Sequence, residues 1–346
     1  MLTDIFADRY ANRVIWPAFT ETEVKLLMQG YLLVEDIFPY WDGSGKAVES
    51  AKENWKSIHD RLARELGLSE LSPLSYSYMS GSQHVWGPYS YDAVMKAFMT
   101  ANFPGGSADR FVKERLSFVE LAFRLRSEEL DKVNAGHAAQ VASAKLEDLI
   151  NDRTKRGFRS RVDMVNRSRD SLNGAFRQSV EELNERLRRA GTKLNYHNGF
   201  IQVASDELVE AQIEKPFWTL VADPTWRNVD IDMKEAVDLR DLQGRDPAWY
   251  AARALESTIK IISDRKGWTH GGENGAHNYI DNLHAKKNGS FINDWETKAL
   301  KDFFTSVRNP FGHGAGSAEM PELSPTQTDL AIETCMSWSK ALIERM

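Results

Sequence analysis

The chain has a single cysteine, Cys335, in 346 residues. A lone thiol excludes an internal disulfide and any zinc site built on cysteines. Cys335 falls in the apolar periodicity of the last helical stretch and reads as a small buried hydrophobe. Long apolar runs are also missing. No stretch approaches the roughly 18 uninterrupted apolar residues of a membrane span. The opening Met1-Leu2-Thr3-Asp4-Ile5-Phe6-Ala7-Asp8 carries acids early and has no apolar core, so it does not read as a signal peptide. A cytoplasmic protein without membrane contact is expected. Positive charge is not in excess either. Lys and Arg number 44 against 50 Asp and Glu, a net charge of -6, so a nucleic-acid surface has to be a local patch. There is no Gly-x-Ser-x-Gly hydrolase elbow and no His-Glu-x-x-His zinc motif. Gly43-Ser44-Gly45-Lys46 fails as a phosphate loop: Tyr40 stands at the first glycine position and Ala47 replaces the Ser or Thr that would hold magnesium. No cofactor and no metal is expected.

What remains is ordinary globular composition, 42% hydrophobic and 27% charged, with helical periodicity throughout. Residues Glu21 to Phe38 predict a helix that buries Val24, Leu26, Leu27, Tyr31, Leu32, Leu33 and Ile37. After the Gly43-Ser44-Gly45 break, a charged amphipathic helix runs to about Leu66, with Gly67 suited to its C-terminal cap. Residues 72–90 cluster Ser, Tyr, Gly and Pro around His84 and Trp86, and read as an aromatic-rich loop with short extended pieces at most. Helix resumes at about Asp92 and again from Ala108 to about Leu130. Residues 136–190 read as one or two long helices in antiparallel arrangement. His197-Asn198-Gly199 between Leu194-Tyr196 and Phe200-Val203 is a hairpin signal.

From Val229 onward the pattern is again helical. One helix covers Pro247 to about Lys266, with Trp249, Ala252, Leu255, Ile259 and Ile262 on one face. Another is capped by Asp294, exposes a face of Trp295, Leu300, Phe303, Phe304 and Val307 to the core, and ends at Pro310. The last starts with Ser324 at the cap, Pro325 at the first position and Gln327 completing a capping box. Its core face is read as Leu330, Ala331, Cys335, Trp338, Ala341 and Leu342. The expected fold is mainly α, in three parts: a multi-helix N-terminal region (1–130), long central helices with a small β-hairpin (131–228), and a C-terminal four-helix-type bundle (229–346).

The candidate chemistry lies at the end of the penultimate helix, in Arg308-Asn309-Pro310-Phe311-Gly312-His313-Gly314. Arginine is a permanent, forked cation suited to phosphate. Histidine is the side chain that exchanges a proton near neutral pH. Together they can cut a phosphodiester: His313 moves the proton and Arg308 holds the charge that develops on phosphate. The same run also reads as an exposed helix end, with Arg favouring the dipole and Asn-Pro and Gly-His-Gly serving as turn chemistry.

This run resembles the Arg-x4–6-His motif of HEPN-domain ribonucleases. The upstream Leu255-Glu256-Ser257-Thr258-Ile259-Lys260 resembles a helix of the C-terminal domain of abortive-infection proteins, a HEPN variety. The opening Leu2-Thr3-Asp4-Ile5-Phe6-Ala7-Asp8-Arg9-Tyr10 is similar to the start of an AbiJ-type defence module. The resemblance implies a helical bundle that pairs into a homodimer through the C-terminal domain, with two motifs meeting in one composite, metal-independent RNA-cleaving site. It assigns Arg308, Asn309 and His313 as catalytic, and places Glu256 and Lys260 as supporting residues. Those two equally read as a surface pair four residues apart.

Arg153, Lys155, Arg156, Arg159 and Arg161 open a basic stretch that continues to Arg167 and Arg169 against one acid, Asp163. It suits an RNA backbone, and equally a solvated helix face or an acidic partner. His270, His277 and His284 recur every seven residues and read as surface histidines. The leading expectation is an RNA-cleaving effector of anti-phage abortive infection. Its expected partners are RNA, with tRNA a candidate, and a phage-derived trigger or inhibitory protein. The alternatives are a non-catalytic HEPN module that binds RNA or protein, and a purely structural helical adaptor.

Overall fold

A computed structural model of the chain describes residues 5–150, 160–203, 209–312 and 322–346. The protein is mainly helical, with two small antiparallel hairpins. It divides into two compact units, the boundary falling between Ile201 and Gln202. No described helix is long and apolar enough to cross a membrane.

The N-terminal unit is organised by α5 (Ala108–Ile150), a single helix where two were expected. Its first half is buried nearly all round, with Val112, Leu116, Val119 and Phe123 enclosed. Against it pack α1 (Phe6–Arg9), α2 (Glu21–Ile37) and α3 (Glu49–Glu65). Helix α4 (Tyr91–Met99) packs on α2 and α3. Helix α2 starts with a capping box between Thr20 and Glu23 and buries Leu26, Leu27, Tyr31 and Val34. Val24 and Leu32, expected inside, are exposed. The buried stripe is narrower than the apolar one because α2 meets α5 closely: a Cβ on Gly30 would lie 2.9 Å from Val119 Cγ2. Trp55 of α3 is fully enclosed and donates to Phe38 O at 2.8 Å, so its polar edge is satisfied. Each such side chain contributes about 1.5–3 kcal/mol of apolar burial or more. Gly67 ends the α3 turn at φ +69, as expected of a glycine cap.

Buried ions tie this unit together. Glu120 accepts from Arg9 Nη2 at 2.6 Å and Nη1 at 3.1 Å, from Arg124 Nη2 at 2.7 Å, and from Ile201 N at 2.7 Å. Burial pulls the Arg124 guanidinium below its ordinary value, with Glu120 opposing. Asp109 accepts from Ile15 N and Trp16 N, and Lys113 donates to Tyr10 O at 2.5 Å, clamping the segment after α1.

Beyond Leu130, α5 runs antiparallel to α6 (Arg161–Arg189). Apolar residues are sparse here, and the two helices meet through polar pairs: Asn134 with Asn173, and His137 with Asn166. Asp148 of α5 caps the start of α6 by accepting from Arg161 N at 2.8 Å. Residues 72–90 are not a loop. They form β1 (Ser75–Ser80) and β2 (Gln83–Pro88) around a two-residue Gly81-Ser82 turn, a connection whose glycine permits the hairpin twist. The expected second hairpin is present as β3 (Leu194–His197) and β4 (Phe200–Val203), turning at Asn198 and Gly199, both at positive φ.

The C-terminal unit is a helical cluster. After a π-helical turn (Glu210–Glu214) come α7 (Lys215–Val221), α8 (Arg227–Asp241), α9 (Pro247–Arg265), α10 (Ala276–His284), α11 (Asp294–Phe303), the short α12 (Asn309–Gly312) and α13 (Pro325–Glu344). Helix α9 is central, packed between α8 and α13. Phe217, Val229, Met233, Leu255, Ile259, Leu300, Phe304, Ile332, Cys335 and Met336 share one core. The capping box of α13 forms as expected, and Cys335 is fully buried. Burial pushes its thiol pKa well up.

The expectations for Leu330, Trp295, Asp294 and Pro310 need correction. Leu330 and Trp295 are exposed, since each sits in the first turns of its helix, outside the core contact. Asn293, not Asp294, caps α11, in a box with Glu296. Pro310 does not end the helix. Helical backbone runs unbroken from Asp294 through the π turn to Gly312, and Pro310, which has no N–H to give, follows directly on the wide turn.

Candidate functional site

The site is built on one face of α9. Trp249, Arg253, Glu256 and Lys260 recur at spacings of three and four, with Ser257 beside Glu256, so they form a stripe along the helix away from its apolar core face. Asp232 of α8 flanks it. The remaining wall comes from the turn that follows α11. There the chain passes through a π-helical turn, Phe304–Arg308, in which Asn309 N–H bonds Phe304 O, five residues back. Phe304 is anchored in the core, and the wide turn carries Arg308 to α9. Such single π turns store a local irregularity and often mark functional sites.

Together Asp232, Trp249, Arg253, Glu256, Ser257, Lys260 and Arg308 line an open cleft of about 300 Å³. Glu256 is its electrostatic centre. One carboxylate oxygen takes Lys260 Nζ at 2.7 Å, and the other takes Arg308 Nη2 at 3.2 Å. Arg308 Nη1 also meets Asn309 Oδ1 at 3.4 Å. Arg253 pairs with Asp232 at 3.2 Å and lies over the Trp249 ring, 4.8 Å from its centroid. Burial raises the Asp232 pKa, Arg253 pulls it back, and Glu235 adds to the rise. Lys260 also lies 5.6 Å from the Tyr279 ring.

Three cations against two carboxylates leave the cleft with a net positive charge. Two donors on its lining residues, Arg308 Nε and Trp249 Nε1, are buried with no hydrogen-bond partner among the described residues. An uncompensated buried donor is costly, and an anionic or carbonyl-bearing ligand would satisfy it. The chemistry available is therefore anion binding, with a guanidinium and an ammonium converging on one point.

Of the residues expected in a site, Arg308, Asn309, Glu256 and Lys260 are brought together. His313 lies outside the described residues, as do Arg153, Lys155, Arg156 and Arg159. Arg161 is described, in the other unit: its side chain pairs with Glu147 at 3.0 Å, while its N–H bonds Asp148. Farther along α6, Arg167 bonds Asp163 O and Arg169 pairs with Asp170. The three histidines do not converge. His270 meets Lys287, His277 meets Thr305, and His284 meets Ile292 O and Asp294. Among the described residues there is no cluster of three or more potential metal ligands. Arg253, Trp249, Ser257 and Asp232 are new members of the site. The first three share the helical stripe of Glu256; Arg253 and Ser257 are a signal present in the spacing, whereas Trp249, expected on the core face with Leu255 and Ile259, lines the cleft instead. Asp232 comes from another helix and leaves no local trace.

The sequence matches the family AbiJ N-terminal domain 4 over residues 4–219. That is more than half of the chain, which therefore belongs to this family of AbiJ-like abortive-infection proteins. The cleft, from Asp232 to Arg308, lies after the matched segment. No curated protein and no solved structure matches the chain.

Proposed function

We propose that this AbiJ-family protein is an RNA-cleaving effector of abortive infection, with its chemistry in the C-terminal unit. The observation that carries the reading is the convergence of Arg308 and Lys260 on one carboxylate, in a cleft whose Arg308 Nε lacks an acceptor. A phosphodiester entering there would take the guanidinium from Glu256. Arg308 then stabilises the charge that builds on phosphate in the transition state. His313, five residues on, assists attack of the ribose 2′-OH or protonates the leaving oxygen. Asn309, already against Arg308, orients the histidine or binds phosphate. The HEPN resemblance supplies the remaining elements: a reaction without metal, and a homodimer through the C-terminal unit that completes the site. RNA is the substrate class, tRNA a candidate within it. A phage-derived trigger or an inhibitory partner would control the enzyme.

A second reading, a non-catalytic HEPN module, draws on the same geometry. Glu256 holds both cations, so the site as arranged is partly self-neutralised. The two readings separate in a metal-free assay on total cellular RNA in EDTA. Arg308→Ala is expected to lower cleavage by about 10²–10³-fold, the usual worth of one transition-state donor. Cleavage that survives Arg308→Ala undiminished sinks the enzymatic reading.

A further inference from the structure

From Leu71 to Tyr91 the sequence carries no Asp, Glu, Lys or Arg, in a chain that is 27% charged. This run folds into β1 and β2. All six residues of β1 are exposed, as are Trp86 and Tyr89. Edge strands are usually guarded by charge, proline, a bulge or a covering element, because their free N–H and C=O groups template pairing with another strand. Strand β1, Ser-Tyr-Ser-Tyr-Met-Ser, has neither charge nor proline. Its register with β2 runs without a bulge from Ser75–Pro88 to Ser80–Gln83.

The turn decides which backbone groups are free. Gly81, at φ +62, opens a two-residue connection. The residues that close it, Ser80 and Gln83, exchange both hydrogen bonds, and alternation makes Tyr78–Val85 and Tyr76–Gly87 the next bonded pairs. The bond from Tyr89 N to Leu74 O continues that series. Ser75, Ser77 and Met79 therefore turn their N–H and C=O outward. No other strand among the described residues pairs with them. On β2 the outward positions are His84, Trp86 and Pro88, and Pro88 has no N–H to give. Both edges are unpaired among the described residues, and the one without proline is β1.

We propose that β1 pairs antiparallel with β1 of a second copy of the chain, about a two-fold axis at Ser77, to make one continuous four-stranded sheet. The edge sequence selects this occupant. With Ser77 opposite the partner's Ser77, Tyr76 falls opposite the partner's Tyr78, and Tyr78 opposite the partner's Tyr76. Both are non-hydrogen-bonded pairs, where facing side chains come closest. Tyr76 and Tyr78 already stack on one face, their centroids 6.1 Å apart, so four tyrosines line up across the seam. An isologous contact sets a surface against itself. A charged edge would repel its own copy, and this one carries no charge. Nucleic acid would find no cation here for its phosphates.

The test uses the full chain. Cys335 is buried, so an introduced thiol is the only exposed one. Ser77→Cys places two thiols on residues about 5.5 Å apart at Cα, within disulfide reach. Ser80→Cys lies three residues from the axis, roughly 20 Å from its mate at about 3.4 Å per residue. Under mild copper–phenanthroline oxidation, Ser77→Cys is expected to form covalent dimer about tenfold faster than Ser80→Cys or better, because only its thiols can meet. Ser77→Pro, which removes an outward N–H and no backbone bond within the hairpin, is expected to lower the mass in sedimentation, and Ser77→Ala, which removes only the 2.7 Å bond from Ser77 Oγ to His84 Nε2, is expected to leave it unchanged. Equal cross-linking rates, or an unchanged mass for Ser77→Pro, overturn the proposal. Loss of single-stranded RNA binding in Ser77→Pro at unchanged mass would assign the hairpin to nucleic acid instead. None of these readouts depends on RNA cleavage or on pairing through the C-terminal unit.

Discussion

Glu120 and Glu256 each sit between two cations, in opposite surroundings. In the N-terminal unit, Glu120 sits between Arg9 and Arg124, with side-chain exposures of 0%, 2% and 8%. In the C-terminal unit, Glu256 sits between Lys260 and Arg308, at 11%, 41% and 29%. Both clusters leave a guanidinium nitrogen without a partner, Arg124 Nη1 in one and Arg308 Nε in the other. The difference is access. Around Glu120 the arginines also bond the carbonyls of Ile201 and Gly199, so the cluster staples backbone segments and is sealed. Around Glu256 the cations line an open cleft. The same three charges act as a structural tie where they are enclosed, and as a receptor for an anion where one side is left to solvent.

The largest expected difference is in stability. Glu120→Ala leaves two buried arginines uncompensated and should cost about 3–5 kcal/mol. Glu256→Ala acts on partly solvated cations and should cost about 1 kcal/mol, as exposed pairs do. Urea unfolding midpoints of the two variants check this, and equal losses would erase the distinction between the clusters. A second effect concerns binding. Glu256→Gln removes the competing anion while keeping the shape, so single-stranded RNA should bind about three- to tenfold more tightly, a gain that fades with salt. Weaker binding in a filter or anisotropy titration would make Glu256 part of the ligand contact rather than its competitor.

The smallest effect lies at the loop before α10. Glu273 accepts from Asn282 and from the backbone N–H groups of His270 and Gly271, which lower its carboxyl pKa from 4.5 to about 2. A depressed carboxylate contributes stability above its unfolded pKa and loses it as pH falls toward the folded one. The loop contacts should therefore persist at pH 4 and release only near pH 2. A carboxyl NMR titration of Glu273 with a midpoint near 4.5 would contradict this.

Much of the helical architecture was legible from apolar spacing and caps. The Ser324-Pro325-Gln327 start of α13 and the Asn198-Gly199 hairpin formed as their chemistry requires. Spacing alone misassigned Val24, Leu32, Leu330 and Trp295, because a periodic pattern marks a face but not how far a neighbouring helix extends over it. Residues 72–90 read as a loop with short extended pieces at most because all six residues of the Ser/Tyr alternation in β1 are exposed and mark no buried face. At the site, the Arg308 run was visible and Glu256 and Lys260 were recognisable by helix position. What brings them together is the π turn after Phe303, a backbone irregularity that apolar spacing does not show, just before Pro310 and across 52 residues of intervening chain. Likewise, nothing near Glu120 in sequence announces Arg9, 111 residues away.

The most direct measurement is cleavage of total cellular RNA in EDTA by wild type and His313→Ala, with unfolding midpoints measured in parallel. The account predicts that His313→Ala keeps the wild-type midpoint and loses about 10²–10⁴-fold in cleavage, the range for a proton-transfer group. Equal cleavage by the two proteins at equal stability would contradict it.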